Sequence, residues 1–153
     1  MNKDALKLEN QLCFPLYACS KEIIKKYKPY LDEIDLTYTQ YITMLVLWER
    51  GNINVKELGL YLYLDSGTLT PLLKKLENKG YIERNRSTKD ERNLVISITE
   101  KGKKLQDKAA NIPLEVGKSI NCLSEEEAVT FYNLLYKLLE SNLLYILFFL
   151  YFL

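Results

Sequence analysis

The segment from Leu64 to Arg92 constrains the fold more than any other part of the 153-residue chain. Leucines recur there at helical spacing and form one apolar face, made by Leu69, Leu72, Leu73 and Leu76. Asp65 or Ser66 can cap the helix start by accepting a free backbone N–H, and Gly80 supplies the residue after the helix end. An arginine-rich turn follows at once. The segment therefore predicts a helix followed by a basic hairpin.

Small hydroxyl side chains crowd the exposed N-terminal turn of this predicted helix, at Ser66, Thr68 and Thr70. They are short enough to let a helix end enter a DNA major groove and hydrogen-bond to base edges or phosphates. A generic amphipathic helix would also carry leucines and lysines. The polar N-terminal turn and the basic hairpin together are what predict a winged helix-turn-helix.

Positive charge is concentrated in the same part of the chain. Residues 74–104 carry 10 basic and 5 acidic side chains, whereas residues 1–73 carry 8 and 9 and residues 105–153 carry 3 and 6. The net charge of the whole chain is only +1, but the predicted helix and hairpin carry a local excess of positive charge. A phosphate-binding face needs such an excess, although a solvated helix face would also show it. The charge distribution favours a nucleic-acid partner.

The chain contains no histidine, which excludes the catalytic pairs and the metal sites that depend on this side chain. Ser-His and Cys-His nucleophile pairs and nearly all zinc sites need that side chain. Cys13, Cys19 and Cys122 are an odd number without a Cys-x-x-Cys pair, so no disulfide framework, metal or cofactor is predicted. The polar segment Met1–Gln11 does not resemble a signal peptide. We therefore expect a cytoplasmic protein with reduced thiols.

Residues 8–31 predict a long first helix, because apolar side chains recur in steps of three and four: Leu12, Leu16, Cys19, Ile23, Tyr27 and Tyr30 or Leu31. Pro15 cannot donate a backbone hydrogen bond and disfavours helical backbone at Phe14. Either the helix kinks there or its regular part begins near Pro15. In the second case Cys13 lies beside a helix N-terminus, where the partial positive charge favours a thiolate.

Capping motifs at Thr37, Asn54 and Ser124 predict further helix starts. The helix that follows Thr37 should end near residue 50, and the one that follows Asn54 near residue 62. Another helix should begin at Thr99 and be interrupted at Pro113. Residues 81–84 and 94–98 predict the two strands of the hairpin, since apolar side chains alternate along the second one.

We predict one winged helix-turn-helix domain over residues 1–153, mainly α-helical with a small β-hairpin wing. Residues 37–99 would bind DNA. Residues 8–36 and 100–145 would form dimerisation helices, because their apolar side chains need a second copy to bury them, and a symmetric homodimer suits a palindromic DNA site.

The tail, residues 143–153, consists of eleven consecutive apolar or aromatic residues. A membrane span needs about 20. The tail is therefore predicted to extend the last helix, with a sticky end or a membrane-surface contact as the alternatives.

Three segments resemble the MarR family of regulators, and more narrowly its organic-hydroperoxide-sensing repressors. They are Leu-Glu-Asn-Gln-Leu-Cys-Phe at 8–14, Tyr-Leu-Asp-Ser-Gly-Thr-Leu-Thr-Pro at 63–71, and Asp-Glu-Arg at 90–92 with Thr-Glu-Lys-Gly at 99–102. The resemblance covers about residues 6–140. It departs from the family at Pro15, where an ordinary apolar residue is usual, and this bears on the local geometry of the first helix.

The resemblance implies a redox sensor. Cys13 matches the family's peroxidatic cysteine, and Tyr27 and Tyr38 match tyrosines that donate hydrogen bonds to that sulfur across the dimer interface. Two phenol donors would favour the thiolate that attacks a peroxide and becomes a sulfenic acid. Cys122 is a candidate resolving thiol, and a low-molecular-weight thiol is the other. Cys19 lies about 240° around the helix from Cys13 and is expected in the core.

The resemblance also implies the DNA contacts. Ser66, Thr68, Thr70 and Lys74 would contact the major groove or its phosphates in a pseudo-palindromic operator. Arg84 and Arg86 would meet phosphates, and Arg92, oriented by Asp90, would enter the minor groove, whose negative potential attracts arginine. The alternative for Asp90 and Arg92 is a surface ion pair of little consequence.

Two other functions compete with a peroxide-sensing repressor. A repressor of this family could instead be released by an aromatic small molecule, with some of the 12 tyrosines lining its pocket. A helical thiol peroxidase would use the same cysteine, but the basic hairpin argues against an enzyme. An inert, buried Cys13 on an apolar stripe would leave a plain DNA-binding dimer.

Overall fold

A computed structural model describes the backbone of residues 3–86 and 94–151, and the side chains of that range up to residue 140. The described chain forms two compact units, Met1–Val116 and Gly117–Leu153. The elements follow the order α1 (Cys13–Glu33), α2 (Tyr38–Arg50), β1 (Asn52–Asn54), α3 (Val55–Leu62), α4 (Ser66–Asn78), β2 (Ile82–Arg86), β3 (Leu94–Ile98), α5 (Glu100–Ala109), α6 (Ile112–Lys118) and α7 (Glu125–Tyr151).

The predicted caps form at the starts of the helices. The Thr37 hydroxyl accepts the Gln40 N–H, and the Gln40 side chain returns a bond to the Thr37 N–H. Asn54 caps α3 and Asp65 caps α4, and Thr99 caps α5. Each cap satisfies an N–H that has no partner within its helix. These polar side chains fix where the helices of the first unit begin.

The first helix begins at Cys13, after two short 3-10 turns at Lys3–Leu6 and Leu8–Asn10. Pro15 is therefore in the first turn, where a missing N–H removes no helical hydrogen bond. Of the two alternatives, the later helix start is the correct one. Pro29 lies further along α1, within the last turns before Glu33.

The sheet contains three antiparallel strands in the order β1-β3-β2. The hairpin strands were predicted, but β2 runs to Arg86, which pairs with Leu94. Strand β1 was not predicted. It adds to the outer edge of β3, with Ile53 opposite Ile96, and both side chains are buried.

The core of the first unit lies between α4, α2 and the sheet. The four leucines of α4 are buried as their spacing predicts, together with Met44 and Leu47 of α2 and Leu58 of α3. Ile96 is buried at the centre of β3, while Leu94 and Ile98 are half-buried. The Thr99 helix is interrupted as predicted, since α5 ends at Ala109 and Pro113 is the second residue of α6.

The base of the hairpin is fixed to the start of α5. Thr99 donates its backbone N–H to the Tyr81 carbonyl at 3.1 Å and its hydroxyl to the Gly80 carbonyl at 2.7 Å. A Cβ at Gly102 would lie 2.2 Å from the Tyr81 carbonyl oxygen, so only glycine fits this approach. These contacts hold the base of the wing in place, and we call this junction of Gly80, Tyr81, Thr99 and Gly102 the root of the wing.

The second unit consists mainly of α7. Ser124 and Glu127 form the predicted capping box, with each side chain accepting the other residue's backbone N–H. Apolar side chains are exposed along the described part of this helix, among them Phe131, Leu134 and Leu138. The helical backbone continues to Tyr151, which agrees with the predicted extension through the tail. The division into dimerisation and DNA-binding segments stays a prediction.

Within the described residues, no helix combines the length and the apolar character needed to cross a membrane.

Candidate functional site

The N-terminal turn of α4 is organised by one carboxylate. Asp65 accepts the Thr68 backbone N–H on Oδ1 at 2.9 Å and the Thr68 hydroxyl on Oδ2 at 2.9 Å. These hydrogen bonds hold the pKa of Asp65 below its usual value, because they stabilise the charged form. A Cβ at Gly67 would lie 2.9 Å from Asp65 Oδ1, so glycine leaves this cap undisturbed.

The predicted DNA-reading side chains of α4 are brought together on its exposed surface. Ser66, Thr68, Thr70 and Lys74 are all exposed, whereas the leucines of the same helix are buried. The Thr70 hydroxyl donates to the Ser66 carbonyl at 2.8 Å, one turn earlier. The helix therefore presents small polar groups and a lysine on the side away from the core.

The hairpin is tied to α4 by an ion pair that the sequence did not predict. Arg84 on β2 approaches Glu77 with Nη2 at 2.6 Å and Nε at 2.8 Å from Oε2. The guanidinium holds the pKa of Glu77 below its usual value. Arg84, predicted to meet phosphates, is thus already engaged by a carboxylate, and its charge is partly neutralised. Arg86 is exposed at the end of β2. Asp90 and Arg92 lie outside the described residues.

Tyr27 of α1 and Tyr38 of α2, the two predicted sensor phenols, are brought together by the fold. Their ring centroids are 5.1 Å apart in an edge-to-face arrangement. Tyr41 extends the cluster at 5.8 Å from Tyr27, and Trp48 follows at 6.4 Å from Tyr41. Trp48 donates its Nε1–H to the Gly102 carbonyl at 2.9 Å. An aromatic row therefore runs from the predicted sensor phenols to the root of the wing.

Sequence reasoning missed Tyr41 and Trp48. The signal was available, because the two side chains follow Tyr38 in steps of three and seven along α2 and so share its face.

The phenols of this cluster are protonated at neutral pH, and burial makes them still harder to ionise. It raises the pKa of Tyr27 and of Tyr38, and it raises the pKa of Tyr41 to about 12. A neutral phenol is a hydrogen-bond donor, which is the form needed beside a sulfur anion.

Cys13 is exposed at the first residue of α1, at the positive end of the helix dipole. Tyr27 lies 14 positions later on the same helix, which is about 21 Å at 1.5 Å per residue. Tyr38 is in contact with Tyr27, so it is also remote. Within one chain the phenols therefore cannot reach this sulfur. Any contact between them needs a second copy.

The prediction that Cys19 lies in the core is wrong for the single chain, where this cysteine is exposed. Burial along α1 increases toward its C-terminal end, from Leu12 at 70% exposure to Leu31 at 2%. Helix α1 packs on α2 through that end, so helical spacing alone misjudged the first turns. Cys122 is exposed in the second unit. In the described part of the chain, no cluster of carboxylates and cysteines is arranged to hold a metal ion.

Comparison with known proteins identifies the family. Residues 25–109, more than half of the chain, match the family described as transcriptional regulator SarA/Rot. The organic hydroperoxide resistance transcriptional regulator of Bacillus subtilis is 50% identical over 138 residues, which is 90% of this chain and 93% of that protein. The chain belongs to the MarR family of transcriptional regulators, in its organic-hydroperoxide-resistance branch.

Other relatives agree with this assignment. The HTH-type transcriptional regulator SarZ of Staphylococcus aureus is 51% identical over 88% of this chain and 90% of its own. AbfR of Staphylococcus epidermidis, solved in the reduced form bound to DNA, is 32% identical with a TM-score of 0.73, covering 94% of this chain and 99% of that one. Its disulfide form, at 32% identity over 91% and 97% of the two chains, gives a TM-score of 0.58.

These relatives are regulators of transcription and not enzymes, so the thiol-peroxidase alternative has no support. The resemblance seen in the sequence is confirmed, as is the predicted winged helix-turn-helix fold.

Proposed function

We propose that the protein is a dimeric repressor that binds operator DNA through α4 and its wing, and releases that DNA when an organic hydroperoxide oxidises Cys13. One observation carries the proposal. The cysteine is exposed at the start of α1, while Tyr27, in the C-terminal half of the same helix, is paired with Tyr38 of α2. A second subunit, placed antiparallel along α1, would bring the two ends together.

The DNA-binding part of the proposal is supported by shape and charge. Helix α4 exposes Ser66, Thr68, Thr70 and Lys74, and the surrounding segment has the excess of basic side chains noted above. Arg86, and Asp90 with Arg92 at the wing, are proposed to reach the backbone and the minor groove. Arg84 has a smaller proposed role, since Glu77 already neutralises part of its charge. A DNA partner in bacteria also implies a cytoplasmic location.

The dimer is supported by apolar surface that one chain leaves uncovered. Leu8, Leu12, Phe14 and Tyr17 are exposed around the start of α1. A two-fold dimer would place two copies of α4 against two half-sites about one helical turn apart. The operator should therefore be pseudo-palindromic.

The proposed sensing step is a two-electron oxidation. The Cys13 thiolate attacks the terminal oxygen of an organic hydroperoxide, an S–O bond forms and the O–O bond breaks. The alkoxide takes up a proton and leaves as the alcohol, and Cys13 becomes a sulfenic acid. Condensation with another thiol gives a disulfide and water. AbfR, which has been solved both reduced on DNA and in a disulfide form, is consistent with such a cycle.

A gel-shift experiment on the DNA upstream of the protein's own gene tests this proposal. Reduced wild-type protein should bind the DNA and retard it in the gel. It should release the DNA when an organic hydroperoxide such as cumene hydroperoxide is added. Cys13→Ser should bind equally well and ignore the peroxide. If peroxide also released the DNA from Cys13→Ser, Cys13 would not be the sensor. If the reduced wild-type protein did not bind this DNA, the upstream region would not contain the operator.

The identity of the resolving thiol needs a separate variant. If Cys122 resolves the sulfenic acid, oxidised wild type should run as a cross-linked dimer on a non-reducing gel, and Cys122→Ser should not. If a low-molecular-weight thiol resolves it, oxidised protein should stay monomeric on that gel and gain the mass of the thiol. Release by an aromatic small molecule remains the alternative, and it would leave Cys13→Ser fully responsive to that ligand.

A further inference from the structure

The hydroxyl groups of Thr68 and Thr70 each have their single proton committed within the protein. Thr68 donates to the Asp65 carboxylate and Thr70 donates to the Ser66 carbonyl. Neither acceptor can donate, so the direction of both bonds follows from the chemistry of the partners. A hydroxyl that has given its proton still has lone pairs. Toward solvent, both exposed threonines therefore act as hydrogen-bond acceptors.

An acceptor that faces DNA has few partners. Phosphate oxygens only accept, so a hydroxyl in this state has no hydrogen bond to make with the backbone. In the major groove the donors are the amino groups of adenine (N6) and cytosine (N4), whereas guanine N7 and O6 and thymine O4 are acceptors. The neighbouring Lys74, an exposed cation, suits the phosphates better.

From these hydrogen bonds we infer that Thr68 and Thr70 each accept a hydrogen bond from the major-groove amino group of adenine or cytosine, and discriminate against the inverted base pair, which places thymine or guanine at that point on the contacted strand. This rests on the proposed function, in which α4 enters the major groove. Asp65 is then a positioning residue, because it sets the direction of the Thr68 hydroxyl without touching the base.

The constraint is stricter at Thr68 than at Thr70. The acceptor of Thr68 is the Asp65 carboxylate, whose charge makes the hydrogen bond stronger. In the complex this carboxylate would lie close to the phosphates, where losing the Thr68 hydroxyl as a donor would destabilise its charge. The acceptor of Thr70 is a helix carbonyl, and a neutral bond of this kind is weaker. Gly67 preserves the arrangement, since a Cβ there would press on Asp65 Oδ1.

In vitro selection from randomised duplex DNA with reduced, full-length protein tests the inference. The variants Thr68→Val and Thr70→Val keep the branched shape and remove the hydroxyl, so the positions whose preference they abolish are the positions read. Every base pair carries one such amino group, on adenine or on cytosine, so removal of that group, and not the preferred sequence alone, identifies the contact. Replacing such an adenine by purine, which lacks the 6-amino group, should weaken wild-type binding about 2- to 12-fold, the range for one hydrogen bond. The same replacement should leave the matching valine variant unaffected.

Asp65→Asn sharpens the test, because asparagine caps helices as well as aspartate does. Its amide NH₂ would take the place of Oδ2 and donate to Thr68, which frees the hydroxyl proton to point outward. The preferred base at the Thr68 position should shift toward guanine or thymine. The Thr70 position should not change, because Asp65 does not hold that hydroxyl, and it serves as the internal control.

Several results would overturn the inference. Full wild-type affinity for a site in which a hydroxyl-dependent position has lost its amino group would do so, as would valine variants with unchanged preferences, or an Asp65→Asn variant with an unchanged Thr68 position. These failures leave operator binding itself intact. If wild type enriches no sequence at all, the proposed function fails and the inference fails with it.

Discussion

The two ends of the first unit differ in how much of their structure one chain provides. The proposed DNA-reading end, from α2 to β3, has buried leucines from three helices, capped helix starts and a hairpin fixed to α5. The start of α1, the proposed sensing end, has an exposed cysteine among exposed apolar side chains. One chain therefore provides the core of the proposed reading end but leaves the proposed sensing end uncovered. Under the proposed mechanism, oxidation rearranges the subunits without unfolding the part that binds DNA.

Matched leucine truncations at the two ends should give the largest contrast. Leu76→Ala removes a side chain that is 0% exposed and should lower the free energy of unfolding by about 2–5 kcal/mol, because it leaves a cavity in the core. Leu12→Ala removes an exposed side chain, so its effect should depend on protein concentration. Denaturant unfolding at two protein concentrations measures both. A Leu12→Ala loss that is large and the same at every concentration would show that this side chain packs within its own chain.

Trp48 of α2 should have the next largest effect. Trp48→Phe removes the hydrogen bond to the Gly102 carbonyl at the root of the wing, and should cost about 1 kcal/mol of stability. Tyr61→Phe is the control, since it keeps the ring that Arg50 covers and should change stability by less than about 0.5 kcal/mol. Equal losses in the two variants, measured by thermal unfolding, would mean that the Trp48 bond contributes nothing.

The burial of Tyr41 predicts a smaller, pH-dependent difference in stability between wild type and Tyr41→Phe. Burial raises its pKa from 10.0 to about 12, so the folded chain holds this proton more tightly than the unfolded chain does. The resulting stabilisation is complete below pH 10 and is lost as the pH rises toward 12. Wild type should therefore lose more stability than Tyr41→Phe between pH 9 and pH 11. Denaturant titrations at these pH values measure the free energy of unfolding. Equal losses in wild type and in Tyr41→Phe would contradict the burial of this phenol.

Much of the reading end could be predicted from the sequence because its signals are local. The Thr37 and Gln40 cap and the four leucines at helical spacing each involve residues that are close in the sequence. Both patterns are present in the folded chain, as a capping box and as buried side chains. Strand β1 escaped prediction because a single apolar residue between two asparagines has no periodicity. The Glu77–Arg84 pair also escaped, since it joins two elements that only the fold brings together.

The sensing end could be predicted less well, and for a physical reason. The apolar stripe of α1 has the spacing of a core-facing helix, yet at Cys19 that stripe is exposed in one chain. Periodicity shows that a face will be buried but not by which chain. The roles of Tyr27 and Tyr38 came from the resemblance. Their contact is a product of the fold, because α1 and α2 bring the two rings together.

The most direct test of the account mixes two inactive variants. Cys13→Ser lacks the thiol, and the double variant with Tyr27→Phe and Tyr38→Phe lacks the phenols. If each sulfur is served by the other subunit, a mixed dimer contains one complete site, with the Cys13 of one chain beside the tyrosines of its partner. Peroxide-dependent release of operator DNA, followed by fluorescence anisotropy, should then be restored in the mixture although neither variant responds well alone. A mixture that responds no faster than the tyrosine variant by itself, or a tyrosine variant that already matches wild type, would contradict the account.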